Sequence, residues 1–377
     1  MSETELTERL ADLDFLQRPP ACPQCKERPR AVKMGSDLRW CCCRSCRSTK
    51  VSVFKNGPLS HVKERVRPSI YEYAGILWCF AHNFTSVQAA LCTGSPLRTV
   101  SRWYTMCRGE CGWRERRHQD GIVFNAGNLE RGFCEVEADA TRIKCRHERG
   151  QHGEIMSTTH AGAIGFLQKN SLSLVVYPME PVVVSAGSDG KPGAPPPERD
   201  DFVYPLVRKH IGRGVLLQSD GGSGGDGMGD KAVSYSPYAK AARAVTSESH
   251  TIFHGGVDHS AKQFSRFIAI DAENIEGFEG VQRSTSTGRR RIRAEVCTNH
   301  IESAWRILKK QIPKHLTYGN YVEDSENWLM LACWRLRIAG DPWIAFGRLL
   351  ANKAEREGQA VNEELWTMSA ESSDENE

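Results

Sequence analysis

The sequence predicts a multidomain protein in which a cysteine-rich module and a helical segment precede a larger α/β domain. Three observations support this prediction. Two CxxC pairs lie within residues 21–60, helical periodicity of apolar residues follows over 69–118, and short β-like runs alternate with helical ones over 130–320. With 377 residues, the chain is long enough for two or three domains that each bury their own core.

Composition and charge narrow the class of protein. No stretch approaches the roughly 20 apolar residues of a membrane span, and the first residues, MSETELTERLADLDFLQ, lack the basic and apolar regions of a secretory signal. We therefore expect no membrane partner and an intracellular location, which is the nucleus in a eukaryote and the cytoplasm or nucleoid in a bacterium. Residues 21–118 carry eighteen Lys and Arg against six Asp and Glu, a net charge of +12 in a chain of net charge +4. Such a segment is typical of a module that binds a polyanion.

Turn-forming and charged runs divide the chain further. Pro and Gly are dense at 185–201, which predicts an insertion loop in the α/β domain, and a second Gly-rich run at 221–230 predicts another loop. The predicted divisions are an N-terminal arm or short helix (1–20), the cysteine-rich module (21–60), the helical segment (69–118), the α/β domain (130–320), a C-terminal helical segment (321–366) and an acidic disordered tail (367–377).

The cysteine-rich module has the spacing of a Cys₄ zinc ribbon. Cys22 and Cys25 form one CxxC pair, and Cys43 and Cys46 form the second. Each pair directs two thiolates at one ion, so two pairs close a tetrahedron around a structural Zn²⁺. The run of cysteines at 41–43 leaves the register of the second pair ambiguous, and Cys43 is preferred because only it forms a CxxC with Cys46. Chance spacing in a cysteine-rich chain is the alternative.

The helical segment has the pattern of a helix-turn-helix. After an amphipathic helix within 69–83, Ala90, Gly94 and Val100 occupy the positions of the small residue, the turn glycine and the apolar anchor. The second helix of the motif is then the recognition helix, which reads base edges with residues near its start. The expected DNA-contacting residues are Arg98, Thr99 and Arg102. An ordinary helical hairpin is the alternative.

Three acidic residues of the α/β domain each end or occupy a separate apolar element. Asp139 lies on the strand-like run FCEVEADAT, Asp220 ends the strand-like run GVLLQSD, and Glu302 lies in the amphipathic helix TNHIESAWRILKKQI. Arg306 and Lys309 follow Glu302 at helical spacing, so the acid has two bases beside it. A simpler role for Glu302 is as the third residue of a capping box begun by Asn299, and a simpler role for the two bases is as a solvated face.

The order of these motifs resembles the Merlin superfamily of DDE transposases and the bacterial ISXO-like insertion-sequence transposases. The resemblance covers roughly residues 20–315 and depends on VEADAT, LLQSD, VDHSAKQF and TNHIESAWRILKK, the last being the most specific. It implies an RNase H-like catalytic domain with a mixed sheet, whose three acids correspond to Asp139, Asp220 and Glu302. Between the first two acids, such a fold places three strands, a helix and a fourth strand.

The resemblance also implies a chemistry and its partners. Three convergent carboxylates hold two divalent cations, Mg²⁺ or Mn²⁺, which clamp the attacking and leaving oxygens of an in-line phosphoryl displacement. Lys309 is an expected catalytic cation and Arg306 an expected DNA contact, since both follow Glu302 on the helix. The expected partner is double-stranded DNA, as terminal inverted repeats and as target, with the protein forming a homo-oligomer on it.

The chain departs from that pattern at three places. The Gly-rich run after Asp220 lets Asp226 and Asp230 compete with it, and Asn299 or His300 can assist or replace Glu302 at the third position. The insertion at 185–201 has no counterpart. Two other functions therefore stay open: a transposase-derived zinc-ribbon DNA-binding protein without catalytic activity, and a structure-specific nuclease that cuts without strand transfer.

Overall fold

A computed structural model shows a chain of two compact units. One comprises Met1–Arg114 and the segment from Ile338, and the other comprises Glu115–Arg337. The structure describes residues 1–350 except 14, 36, 44–45, 47–49, 55–68, 128, 130, 172, 188–190, 194–197, 221–235, 258, 260–261, 286, 315 and 339. The predicted tail at 367–377, the end of the 321–366 segment, the Gly-rich run 221–230 and its two aspartates lie outside the described residues.

The first unit begins with a helix and a small antiparallel sheet. Helix α1 (Glu3–Asp12) starts with a capping box in which Ser2 and Glu5 bond each other's backbone N–H groups. Strands β1 (Arg30–Met34), β2 (Asp37–Cys41) and β3 (Lys50–Ser52) follow in that order across the sheet. The helix contacts the sheet through Glu8, whose carboxylate accepts the N–H of Ala31 at 2.5 Å. The predicted arm at 1–20 is therefore largely a helix.

Three helices complete the described part of the first unit, together with a helical stretch over 342–350 (α10). They are α2 (Ile70–Ala81), α3 (Ser86–Thr93) and α4 (Leu97–Asp120), the last of which continues into the second unit. Gly94 ends α3 in the left-handed conformation (φ +69°), which a residue without Cβ adopts without strain. The buried small residue of α3 is Ala89 and not the predicted Ala90, because the helix turns that neighbour partly toward solvent.

The second unit is built on a mixed sheet, which confirms the predicted multidomain α/β architecture. Its strands are β4 (Cys134–Arg149), β5 (Ile155–Gln168), β6 (Leu174–Pro178), β7 (Val182–Ser185), β8 (Val215–Asp220) and β9 (Ile252–Val257). The order across the sheet is β6-β5-β4-β8-β9, with β7 paired to the far end of β5. Strand β4 is antiparallel to β5 and parallel to β8, which is in turn parallel to β9. The carboxyl ends of β4's paired segment, β8 and β9 therefore share one edge.

Helices cover both faces of this sheet. On one face, α5 (Asp200–His210) and α6 (Pro237–Glu248) bury Val207 and Val245 against Val136 and Ala138 of β4. On the other face, α7 (Asn299–Gln311), α8 (Tyr318–Glu323) and α9 (Ser325–Arg337) form a second core. The apolar stripe of α7, formed by Ile301, Trp305 and Leu308, provides most of its contact with the sheet.

A two-stranded antiparallel ribbon lies before α7. Its strands are β10 (Ser265–Asp271) and β11 (Arg291–Cys297), and their apolar side chains join Leu216 of β8 in a third core. Because β11 ends at Cys297 and α7 starts at Asn299, the ribbon delivers the chain directly to the start of that helix. Across the part of the chain that the structure describes, no helix has the length and apolar character that crossing a membrane requires.

Candidate functional site

Four thiols of the first unit lie together. The sulfur atoms of Cys22, Cys25, Cys42 and Cys46 are all within 4.8 Å of one another, and those of Cys22 and Cys46 are 3.7 Å apart. A tetrahedral zinc ion with Zn–S bonds of about 2.3 Å holds its sulfurs about 3.8 Å from one another. All fourteen cysteines lie in the described part of the chain, and none forms a disulfide. The group can therefore hold one structural zinc ion.

The second pair of this group differs in register from the predicted CxxC. Cys42 belongs to the group of four, whereas the predicted ligand Cys43 lies beside it and its sulfur accepts the N–H of Cys46 at 3.1 Å. Backbone N–H groups at Glu27 and Cys43 lower the pKa of the Cys25 thiol, but burial and the thiols of Cys22 and Cys43 outweigh them and raise it to about 12. Crowded neutral thiols of this kind suit a cation that replaces their protons.

The residues predicted to contact DNA lie at the start of α4. Arg98 and Arg102 are exposed and Thr99 is half-buried, while Val100 between them is fully buried. The buried valine anchors the helix, and the two arginines, one turn apart, lie on its solvent-facing side. This arrangement leaves both guanidinium groups available to a ligand in solution.

Asp139 is the sixth of the sixteen residues of β4, directly after the segment that pairs with β8, and lies on the face covered by α7. Its cross-strand partner on β5 is Gly165, and a Cβ at that glycine would come within 2.7 Å of the Trp305 ring. The missing side chain lets the indole of Trp305 lie across the strand pair, where its Nε1 donates to Oδ2 of Asp139 at 3.0 Å. The tryptophan therefore fixes the orientation of this carboxylate.

Asp220 and Glu302 reach the same edge of the sheet from two other elements. Because β8 runs parallel to β4 with Ser219 opposite Ala138, Asp220 ends its strand beside Asp139. Glu302 lies in the first turn of α7 and accepts the hydroxyl of Thr298 at 3.0 Å. The structure thus brings together the three acids that the sequence predicted as a site.

His259 joins two of these carboxylates. Its Nδ1 lies 3.5 Å from Oδ2 of Asp220 and 3.7 Å from Oε1 of Glu302, and its Nε2 lies 3.5 Å from the hydroxyl of Thr298. The histidine belongs to the VDHSAKQF segment, for which the sequence suggested no individual role. Only the tertiary structure identifies this histidine as a site residue, because the two acids beside it belong to separate elements.

The carboxylates of the site repel one another. Burial raises the pKa of Asp139 to about 7, and the charges of Glu198, Asp220 and Glu302 contribute to this rise, whereas the backbone N–H of Ala140 opposes it. Carboxylate oxygens are the ligands that Mg²⁺ prefers, and a divalent cation among them offsets their mutual repulsion. The residues present therefore fit a hard divalent cation.

Glu198 is a fourth acid of the site, to which no sequence pattern pointed. It lies at the end of the insertion 185–201, immediately before α5, and burial together with Asp220 raises its pKa. Burial raises the pKa of the Tyr238 hydroxyl well above its usual value, and the negative charges of Glu198, Asp139 and Asp220 add to this rise. A loop residue among prolines carries no periodic signal, so this glutamate could not have been singled out from the sequence.

The remaining predicted residues lie on different sides of α7. Partial burial and the charge of Arg142 lower the pKa of Lys309. The charge of Asp139 opposes this change, which places Lys309 near the site. Arg306 is exposed and donates to the hydroxyl of Ser303 at 3.0 Å. Asn299 lines a cavity on the opposite side and does not begin a capping box, because the helix has Thr298 at its N-cap.

The edge of the mixed sheet therefore combines four acids, a bridging histidine and a nearby lysine cation. Such a group can bind divalent cations and, through them and the lysine, a phosphate ester. Comparison with protein-family models, with curated proteins and with solved structures found no match to this chain.

Proposed function

We propose that the chain is a DNA transposase of the DDE type, which binds transposon ends and then cuts and joins DNA by in-line phosphoryl transfer. The observation that carries the proposal is the convergence of Asp139, Asp220 and Glu302 at one edge of the sheet, with His259 between the last two. The resemblance to the Merlin superfamily supports the same three acids. An RNase H-like domain is supported by the elements between the first two acids, which are β5, β6, β7, α5 and β8.

The three predicted acids and the side chains around them have separate roles in this chemistry. Asp139, Asp220 and Glu302 would hold Mg²⁺ or Mn²⁺, which would supply activation of the oxygen nucleophile and stabilisation of the leaving oxygen. Trp305 fixes the Asp139 carboxylate, since its indole N–H occupies one oxygen of that group. Lys309 neutralises the phosphate beside the scissile bond, and Arg306 binds the flanking backbone.

The first unit supplies DNA recognition in this proposal. A zinc ribbon and a helix-turn-helix formed by α3 and α4 bind the terminal inverted repeats, with Arg98, Thr99 and Arg102 nearest the bases. The net charge of +12 over residues 21–118 supports several phosphate contacts and a steep dependence of affinity on salt. Two ends must be joined in one reaction, so we propose a homo-oligomer on DNA.

Arg102→Ala is expected to reduce the preference for terminal-repeat DNA over unrelated DNA by about tenfold or more, because a lost base contact costs roughly 1–3 kcal/mol of discrimination. Titrations of the full-length protein with both DNAs at several salt concentrations measure this ratio. Arg9→Ala is the matched control, since Arg9 is an exposed arginine of α1 in the same unit. An equal loss of affinity for both DNAs would mean that Arg102 contacts phosphate only.

Cleavage tests the proposed activity itself. The full-length protein with Mg²⁺ is expected to cut DNA at the ends of the terminal repeats, and Glu302→Gln is expected to abolish cutting without weakening DNA binding. The matched control is Glu295→Gln, which alters an exposed glutamate of β11 in the same unit. If the wild-type protein binds the repeats but never cuts them with Mg²⁺ or Mn²⁺, the DNA-binding protein without catalysis becomes the better description.

A further inference from the structure

A second group of metal-ligating side chains lies where β11 meets α7. Cys297 is the last residue of the strand, and His300 is the second residue of the helix, so the pair has C-x-x-H spacing. Glu137 faces them from β4. One ligand atom from each of the three side chains lies within 4.8 Å of the other two. None of these three residues belongs to the carboxylate site described above.

The distances within this group are close to those of a zinc site. The sulfur of Cys297 lies 3.5 Å from Oε1 of Glu137, which is about the separation of sulfur and oxygen on a tetrahedral zinc ion. Nδ1 of His300 lies 2.7 Å from the same oxygen, shorter than the roughly 3.4 Å expected of two zinc ligands. The His300 side chain is 44% exposed, so its ring can move by the fraction of an ångström that a cation requires.

The second oxygen of Glu137 is fixed in the way that a metal-binding carboxylate often is. Oε2 accepts the backbone N–H groups of His300 and Ile301, both at 2.9 Å. These bonds orient the carboxylate and leave Oε1 directed at the thiol and the imidazole. The side chain of Glu137 is fully buried, and the only basic side chain within ion-pair distance of it among the described residues is the imidazole of His300, which carries a charge only when protonated. Buried carboxylates are usually compensated by a cation or a metal ion.

One residue of this group, His300, borders a cavity on the helix side. His300 lines a cavity of about 700 Å³ together with Asn299 and Ser303 of α7, and Glu115 and Arg337 lie at its wall. Three protein ligands and a position open to solvent are the arrangement of zinc sites that keep an exchangeable fourth ligand. One thiolate, one imidazole and one carboxylate favour Zn²⁺ over Mg²⁺, which binds oxygen ligands.

We propose that Glu137, Cys297 and His300 bind a zinc ion, separate from the four-cysteine zinc of the first unit, with a solvent molecule as its fourth ligand. On binding, the thiol of Cys297 loses its proton to solvent and binds as a thiolate, and the imidazole of His300 binds through an unprotonated Nδ1, with its ring proton on Nε2. The ion ties the start of α7 to β4, the central strand of the sheet. This assignment does not depend on the proposed DNA chemistry.

Zinc counting on the full-length protein tests the assignment. The protein is reconstituted with Zn²⁺ under reducing conditions in excess Mg²⁺, freed of loosely held metal and analysed for zinc per chain. We expect two zinc ions in the wild-type protein and one in Cys297→Ser. Cys333→Ser is the matched control, because Cys333 is about as buried as Cys297, belongs to the same unit and lines the cavity that His300 borders. It should retain both ions.

His300→Asn tests the same assignment independently, in case Cys297→Ser loses zinc because it misfolds. This half-exposed side chain can change without disturbing a core, so its variant should fold, as circular dichroism can verify, and should also hold one zinc ion. A wild-type protein with fewer than two zinc ions would overturn the assignment. So would a folded His300→Asn variant that keeps two, because the contacts of Glu137 would then be ordinary hydrogen bonds.

Discussion

Asp139→Asn is expected to make the metal-free protein more stable while it abolishes Mg²⁺-dependent cleavage. The carboxylate of Asp139 is buried and has other acids beside it, and both effects raise its pKa, from 3.8 to about 7. The folded state therefore binds a proton more tightly than the unfolded state, so this group lowers stability as pH rises from about 4 to 7. The cost above pH 7 is at most roughly 4 kcal/mol. An amide has no charge to bury and still accepts the indole N–H of Trp305.

Thermal unfolding at several pH values measures this effect. In the wild-type protein without metal, the unfolding midpoint should fall between pH 4 and 7 more steeply than in the variant. Added Mg²⁺ should raise the wild-type midpoint strongly at pH 8 and little at pH 5, where Asp139 is protonated, because only the ionised carboxylate binds the cation. The asparagine variant should not respond to Mg²⁺ at either pH.

Glu295→Gln is again the control, since it alters an exposed carboxylate outside the site. Its unfolding midpoint should follow that of the wild-type protein at every pH and respond to Mg²⁺ in the same way. A metal-free Asp139→Asn protein that is less stable than wild type at pH 8 would contradict the electrostatic account. Cleavage by the variant would contradict the catalytic assignment separately, because the proposed site requires all three carboxylates to hold its cations.

Cys22→Ser is expected to remove one zinc ion per chain and to unfold the small sheet of the first unit. Structural zinc contributes on the order of 10 kcal/mol to the folding of comparable modules, and three short strands without it cannot bury enough apolar surface to compensate. Zinc analysis measures the loss of metal, and hydrogen exchange of the β1 and β2 amides measures the loss of structure. Cys92→Ser, at an exposed position of α3, should change neither.

Two further variants decide the register of the second cysteine pair. Because Cys42 lies in the group of four and Cys43 lies beside it, Cys42→Ser should weaken zinc binding more than Cys43→Ser. The opposite order would restore the CxxC pairing that the sequence favoured. Competition with a chelator of known affinity gives both values in the full-length protein.

The sequence could locate the three acids because each is tied to a periodic element. Asp139 and Asp220 follow alternating or apolar runs, and the stripe of α7 fixes the face on which Glu302 lies. Parallel strands end at a common edge, so their acids meet whatever the length of chain between them. The helices over 69–120 were equally predictable, since their apolar spacing and caps are local properties.

Residues that reach the site only through tertiary contacts could not be identified from the sequence. Glu198 and His259 enter the site from irregular segments, whose path depends on what the sheet and helices leave open. Trp305 has the spacing of an apolar residue in a helical stripe, and its bond to Asp139 exists only because Gly165 leaves room above β5. The sequence also left open which of Cys42 and Cys43 is the zinc ligand. Adjacent cysteines have the same side chain, so the choice between them depends on the backbone conformation.

Strand β4 places acidic and apolar residues on opposite faces, with Glu135, Glu137 and Asp139 toward α7 and Val136 and Ala138 toward α5 and α6. Inserting or deleting one residue of this strand before Glu135 would exchange the two faces and place all three carboxylates in the hydrophobic core beneath α5 and α6. Downstream, the pairing with β5 already contains an irregularity after Arg142. We therefore expect a one-residue insertion or deletion before the three acids to destabilise the protein more than one placed beyond Arg142, where the pairing is already irregular.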